Sequence, residues 1–198
     1  MNYGFIYCLG NQAMPGIYKV GMTERAPLQR RDELSNSTSA PLPFELLCFG
    51  QVIDPRDVES DIHSALSDRR VNQYREFFYG PFSRIADFIR DYSNGFALTS
   101  YGKEEEEREE LRDRFYESGQ ESRVQALCEA AKSTGVNLQR HGQQLRFSGR
   151  LSPSDWMYGA FVSLRDELLE FVPEFKDKAQ EEDERTQEAE QEAEELDW

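Results

Sequence analysis

Histidine and cysteine are scarce in this chain, with 2 and 3 among its 198 residues. Cys8, Cys48 and Cys128 are odd in number, far apart and set among apolar neighbours. That spacing excludes a disulfide framework and a zinc cluster, and predicts reduced, buried thiols in a cytosolic protein. Long apolar runs are missing too. Nothing approaches the roughly 18–20 residues of a membrane span, and the first residues lack a signal-peptide pattern, so no membrane partner is expected. Positive charge is outnumbered: 23 Lys and Arg face 38 Asp and Glu, a net −15. Taken whole, that balance speaks against a protein that binds phosphates.

The acid is unevenly placed, which reopens the question. Residues 1–100 carry a net −2 and residues 101–198 a net −13. Most of it lies in Glu104–Glu110 (EEEEREE) and in Asp177–Trp198, where 11 acids face only Lys178 and Arg185. The two runs read as a solvated helical linker over 101–120 and a frayed tail over 175–198. A tail that competes with nucleic acid for a basic site is the alternative. Hydrophobic residues at 38% suffice for a core, while a mean hydropathy of −0.76 implies much solvated surface.

Short aromatic and β-branched runs at Asn2–Leu9 and Ile17–Met22 predict a hairpin joined by Gly10–Gly16. Pro27 suits the first turn of a helix through Ser35. Phe44–Ile53 (FELLCFGQVI) is apolar on both faces, as a central, covered strand is. Helical spacing recurs at Val58, Ile62, Ala65 and Leu66, and again at Phe82, Ile85, Phe88 and Ile89. The fold class expected for residues 1–100 is α+β on a small antiparallel sheet. Beyond the linker, Arg123–Thr134 reads as a helix, followed by two alternating strands around Gly142. Ser152-Pro153 then opens one long amphipathic helix carrying Trp156, Phe161, Leu164, Leu168 and Phe171, which makes 121–174 a small α-β-β-α unit.

The stretch PGIYKVGMT, residues 15–23, spells a tempting triplet, and its meaning depends on strand pairing. A hairpin centred on Ala13 sets Tyr7 opposite Lys19 and Phe5 opposite Gly21. Lys19 inside an apolar strand is either an edge charge that deters aggregation or an ammonium that favours a Tyr7 phenolate. With Phe5-Ile6-Tyr7 as first triplet and Lys19-Val20-Gly21 as second, residues 3–80 resemble the GIY-YIG endonuclease superfamily, in a branch found in many phage-encoded proteins. Lys19 stands where the family name has Tyr. The resemblance carries over to Arg30 on the first helix, with Arg31 its near rival. It also covers His63 in ESDIHSAL and the metal-binding Glu76 in REFF.

What the resemblance implies is metal-dependent hydrolysis of DNA phosphodiesters, with Tyr7, Lys19, Arg30, His63 and Glu76 as the catalytic set. Glu76 would ligate Mg²⁺ or Mn²⁺, and Arg25, Arg31 and Arg75 stand beside the set as candidate substrate-binding residues. Tyrosine titrates near 10, so Tyr7 as a base at neutral pH needs a fall of roughly 3 units. Arg30 suits the phosphoryl oxygens, and His63 either relays the proton or holds the water. A catalytically silent binding module is the competing reading. The C-terminal stretch GVNLQRHGQQLRFSGRLSPSDWMYGAFVSLRDELLEF resembles the N-terminal docking domains of polyketide and nonribosomal peptide synthetases, which implies a protein partner or a homodimer through 121–174.

Overall fold

The computed structural model describes residues 2–36, 41–149, 151 and 155–175. Among them, β1 (Tyr3–Gly10), β2 (Ile17–Thr23), β3 (Glu45–Ile53), β4 (Phe77–Tyr79) and β5 (Gly95–Leu98) form one antiparallel sheet in the order β4-β2-β1-β3-β5. Three helices cover it: α1 (Pro27–Ser35), α2 (Pro55–Ala65) and α3 (Phe82–Asp91). The α+β class expected from the sequence is what the chain adopts. β3 is an interior, covered strand as expected, paired with β1 on one side and with the unforeseen β5 on the other.

Alternation in β1 divides the core. Ile6 and Cys8 point to one face, where Ile62 and Leu66 of α2 and Phe82, Ile85 and Ile89 of α3 cover them. Tyr7 and Leu9 point to the other, with Leu34 of α1, Phe44, Leu46 and Phe77. The cysteine pair is a cross-strand one: Cys8 sits opposite Cys48, both fully buried and unbridged.

The hairpin register differs from the expected one by two residues. Tyr7 pairs with Gly21, Leu9 with Lys19 and Phe5 with Thr23. The loop closes by two successive turns, Met14 N–H donating to Asn11 O at 2.8 Å and Ile17 N–H to Met14 O at 3.2 Å. The hairpin therefore pivots on Met14 rather than Ala13. A two-residue shift preserves which face each side chain occupies but changes its neighbour.

The acidic run lies in α4 (Ser100–Glu117), and it is not a merely solvated linker. Buried Glu109 accepts the Phe82 N–H, and its other oxygen accepts the Ser83 N–H at 3.0 Å, so it caps α3. Glu105 accepts the Tyr18 hydroxyl. Gly102 lies so close to β3 that a β-carbon there would meet Leu47 O at 2.2 Å. Further along, Leu111 and Phe115 join a second core with Leu127, Met157, Phe161 and Leu168. One helix thus serves both cores.

That second core is built by α5 (Gln120–Ser133), the hairpin β6 (Asn137–His141) and β7 (Gln144–Ser148), α6 (Trp156–Ser163) and α7 (Arg165–Phe171). The expected single C-terminal helix is two, interrupted at Leu164, whose backbone leaves helical geometry at φ −107 and ψ 25. Asp155 caps α6 by accepting the Met157 N–H at 3.0 Å, and it pairs with Arg108 of α4. The expected helix start at Ser152-Pro153 and the acidic tail from Asp177 lie outside the described residues. No helix among the described residues is long and apolar enough to cross a membrane.

Candidate active site

The site forms where β4 stops. β4 pairs with β2 only from Ile17 to Lys19, and Glu76 O then accepts the Val20 N–H at 3.1 Å. Beyond that point the outward backbone groups of β2 have no strand beside them, and α2 supplies side chains instead. His63 Nε2 lies 3.0 Å from Val20 O, and Glu59 Oε1 accepts the Met22 N–H at 2.9 Å. Residues four apart share a helix face, so one turn of α2 continues the ladder. A carbonyl only accepts, so Nε2 carries the proton in this bond and Nδ1 keeps its lone pair. Burial pushes the His63 pKa below its ordinary value, against the pull of the Val20 carbonyl, so the ring is neutral at pH 7.

Tyr7, Lys19 and Gly21 share the face covered by α1. Tyr7 is 2% and Lys19 9% exposed. Gly21 sits directly across from Tyr7 and leaves space for its ring. Arg30 of α1 approaches the Tyr7 hydroxyl, and Tyr7 raises the guanidinium pKa in return. Burial lifts the Tyr7 pKa above 10, and Arg30 offsets only part of that. The phenol thus moves away from the value a neutral-pH base requires.

Lys19 does not serve Tyr7. Its ammonium reaches Glu76 Oε2 in an ion pair that also lies near the Phe77 ring. Burial works to raise the Glu76 pKa, but the Lys19 ammonium outweighs it and holds the carboxyl below its ordinary value. Glu59 behaves oppositely: burial, then the neighbouring Glu76 charge, push it up. Electrostatic coupling links Glu76 to His63, Arg30 and Tyr7, and Glu59 to Lys19 and Arg30. The five residues singled out from the sequence therefore meet in one place, brought from β1, β2, α1, α2 and the loop before β4.

The three further arginines are placed differently. Arg25 is bound to Glu33 at 2.8 Å and Arg31 to Asp32 at 2.7 Å, so both are partly neutralised. Arg30 also reaches Glu33, at 3.3 Å. Arg75 is exposed beside Glu76, and among the described residues its only hydrogen bond is from its backbone to Asn72 O. Glu59 and Gly21 were missed as site residues. The signal for Glu59 was present in its spacing of four from His63.

A metal ion was expected at Glu76. Among the described residues, no three His, Cys, Asp or Glu side chains stand close enough to share one. The Glu76 side chain is 46% exposed. This donor set fits a hydrated Mg²⁺ or Mn²⁺ held by one carboxylate and several waters, not a closed metal centre.

Comparison with known families matches residues 4–93, a little under half of the chain, to the T5orf172 domain, which is nuclease-associated. That match spans every residue of the cluster. No curated protein and no solved structure matches the chain.

Proposed function

We propose that the chain is a metal-dependent endonuclease of the GIY-YIG type that hydrolyses phosphodiester bonds of DNA. The observation that carries this reading is the convergence of Tyr7, Arg30, His63 and the Lys19–Glu76 pair at the open end of β2. Similarity of residues 4–93 to a nuclease-associated domain supports it.

Hydrolysis needs a positioned water, relief of charge on the phosphoryl oxygens, and a leaving 3′ oxygen. Arg30, always charged and forked, faces the phosphoryl oxygens. Lys19 keeps Glu76 ionised and aimed. A divalent cation on Glu76 would supply Lewis-acid stabilisation at the phosphate and the leaving oxygen. Since burial keeps Tyr7 protonated, its hydroxyl serves to orient the attacking water rather than to take the first proton. His63, neutral and with Nε2 held by Val20 O, offers Nδ1 as the acceptor. The water oxygen bonds to phosphorus as its proton passes to Nδ1, and the bond to the 3′ oxygen breaks.

The test is incubation with supercoiled plasmid and Mg²⁺ or Mn²⁺, wild type beside Glu76→Ala. Nicked or linear product from the wild type alone is expected. DNA binding without cleavage would mark the chain as a binding module.

A further inference from the structure

Beside His63 an open groove of about 400 Å³ runs along α2. Arg56, Ser60, Ser64, Ser67 and Arg70 line it together with His63 and Glu59. Positions 56, 60, 63 and 64 recur at helical spacing on α2, so a single polar stripe faces the groove, and Ser67 and Arg70 follow beyond the helix end. Arg56 and Arg70 stand at its two ends.

The charges here are uncommitted, unlike those on α1. Arg56 is exposed, and its side chain makes no ion pair or hydrogen bond among the described residues. Arg70 has no carboxylate partner among the described residues either. It lies over the Phe78 ring at 5.1 Å and reaches Gln73 O at 3.4 Å, and a backbone bridge to Phe78 anchors it. Glu59 is the one carboxylate among the lining residues, and it is occupied by the Met22 N–H. The Ser64 hydroxyl donates to Ser60 O at 2.8 Å, while the Ser60 and Ser67 hydroxyls make no hydrogen bond among the described residues. The groove therefore presents two cations and hydroxyl donors beside a single carboxylate, Glu59. From Arg56 to Ser64 on α2 it extends about 12 Å, enough to meet more than one phosphate of a strand.

We infer that this groove binds the sugar–phosphate backbone of the DNA strand flanking the scissile bond, with Arg56 and Arg70 as its phosphate contacts. The inference rests on the nuclease reading for its ligand, since His63 and Glu59 join the groove to the catalytic cluster. Backbone contacts of this kind position a strand without reading its bases. They also place two arginines of an acidic chain in one groove, while most of the excess acid lies in residues 101–198.

The experiment measures affinity of the full chain for a labelled duplex across a salt series, in a Glu76→Ala background so that nothing is cut. Adding Arg56→Ala and Arg70→Ala should lower the slope of log K against log salt by about 1–2, because each phosphate contact contributes about 0.9. Affinity at low salt should fall about tenfold or more. Because Arg70 also packs on Phe78, Ser60→Asp with Ser67→Asp provides a second variant, which should weaken binding similarly while circular dichroism stays unchanged. With Glu76 intact, Arg56→Ala/Arg70→Ala should raise KM and leave kcat within a few-fold. An unchanged slope and KM, with wild-type cleavage intact, overturns the groove and leaves the nuclease standing. A reduced slope without wild-type cleavage does the reverse. No binding of DNA by the parent overturns both.

Discussion

Gly21 leaves the space that the Tyr7 side chain fills: a β-carbon at position 21 would lie 2.6 Å from Tyr7 Oη and 2.9 Å from its Cζ. The two residues are direct cross-strand partners. Gly21→Ala must then displace the ring or part the strands, at a cost of about 1–3 kcal/mol. We expect a lower thermal midpoint and loss of cleavage together. Gly95→Ala, where nothing lies within 4 Å of the added carbon, serves as control and should change neither.

His63 makes stability depend on pH. Its folded pKa is lowered by burial, so below about 6.5 the unfolded chain takes up a proton that the folded one resists. Stability from this residue is complete above that value and is lost as pH falls through it. Urea midpoints of wild type and His63→Gln should converge between pH 7.5 and 5.5. Parallel curves would show that His63 does not titrate with folding.

Under the proposed function, the Lys19–Glu76 pair should set the acidic limb of the pH–rate profile rather than the alkaline one. Lys19 holds the Glu76 pKa down, so Lys19→Met should let it rise. Activity that needs ionised Glu76 would then fail at higher pH than in the wild type. The alkaline limb should stay in place, because the Lys19 ammonium is directed to Glu76 and Arg30 is the cation bonded to Tyr7.

Glu109 and Glu107 are neighbours in one acidic run with different work. Glu109 is buried and caps two N–H groups of α3, whereas Glu107 is exposed. Glu109→Ala should cost about 1–3 kcal/mol by orphaning buried donors. Glu107→Ala should stay within about 0.5 kcal/mol. Chemical denaturation of the two variants separates these outcomes.

Periodicity and turn residues made most elements legible. α1 begins at Pro27, α2 at Pro55 and the second hairpin turns at Gly142, where φ is +60, because each follows from a local dihedral or a local apolar stripe. The five candidate site positions were legible only through the resemblance to the GIY-YIG endonuclease superfamily, which orders them along the chain. What the chain could not reveal by itself is who touches whom. The pivot of the first hairpin depends on two turns at Asn11–Ile17, and it moved Lys19 from Tyr7 to Glu76. The short reach of β4 left Val20 O and Met22 N–H for His63 and Glu59 to satisfy, a consequence of pairing between distant strands. Likewise Glu109 looked like its neighbours in sequence and became a buried cap only because α4 lies against α3. Local propensity acts over a few residues; the pKa of Tyr7, the partner of Lys19 and the use of Glu109 are set by burial and by side chains tens of residues away. Tertiary structure alone decided those.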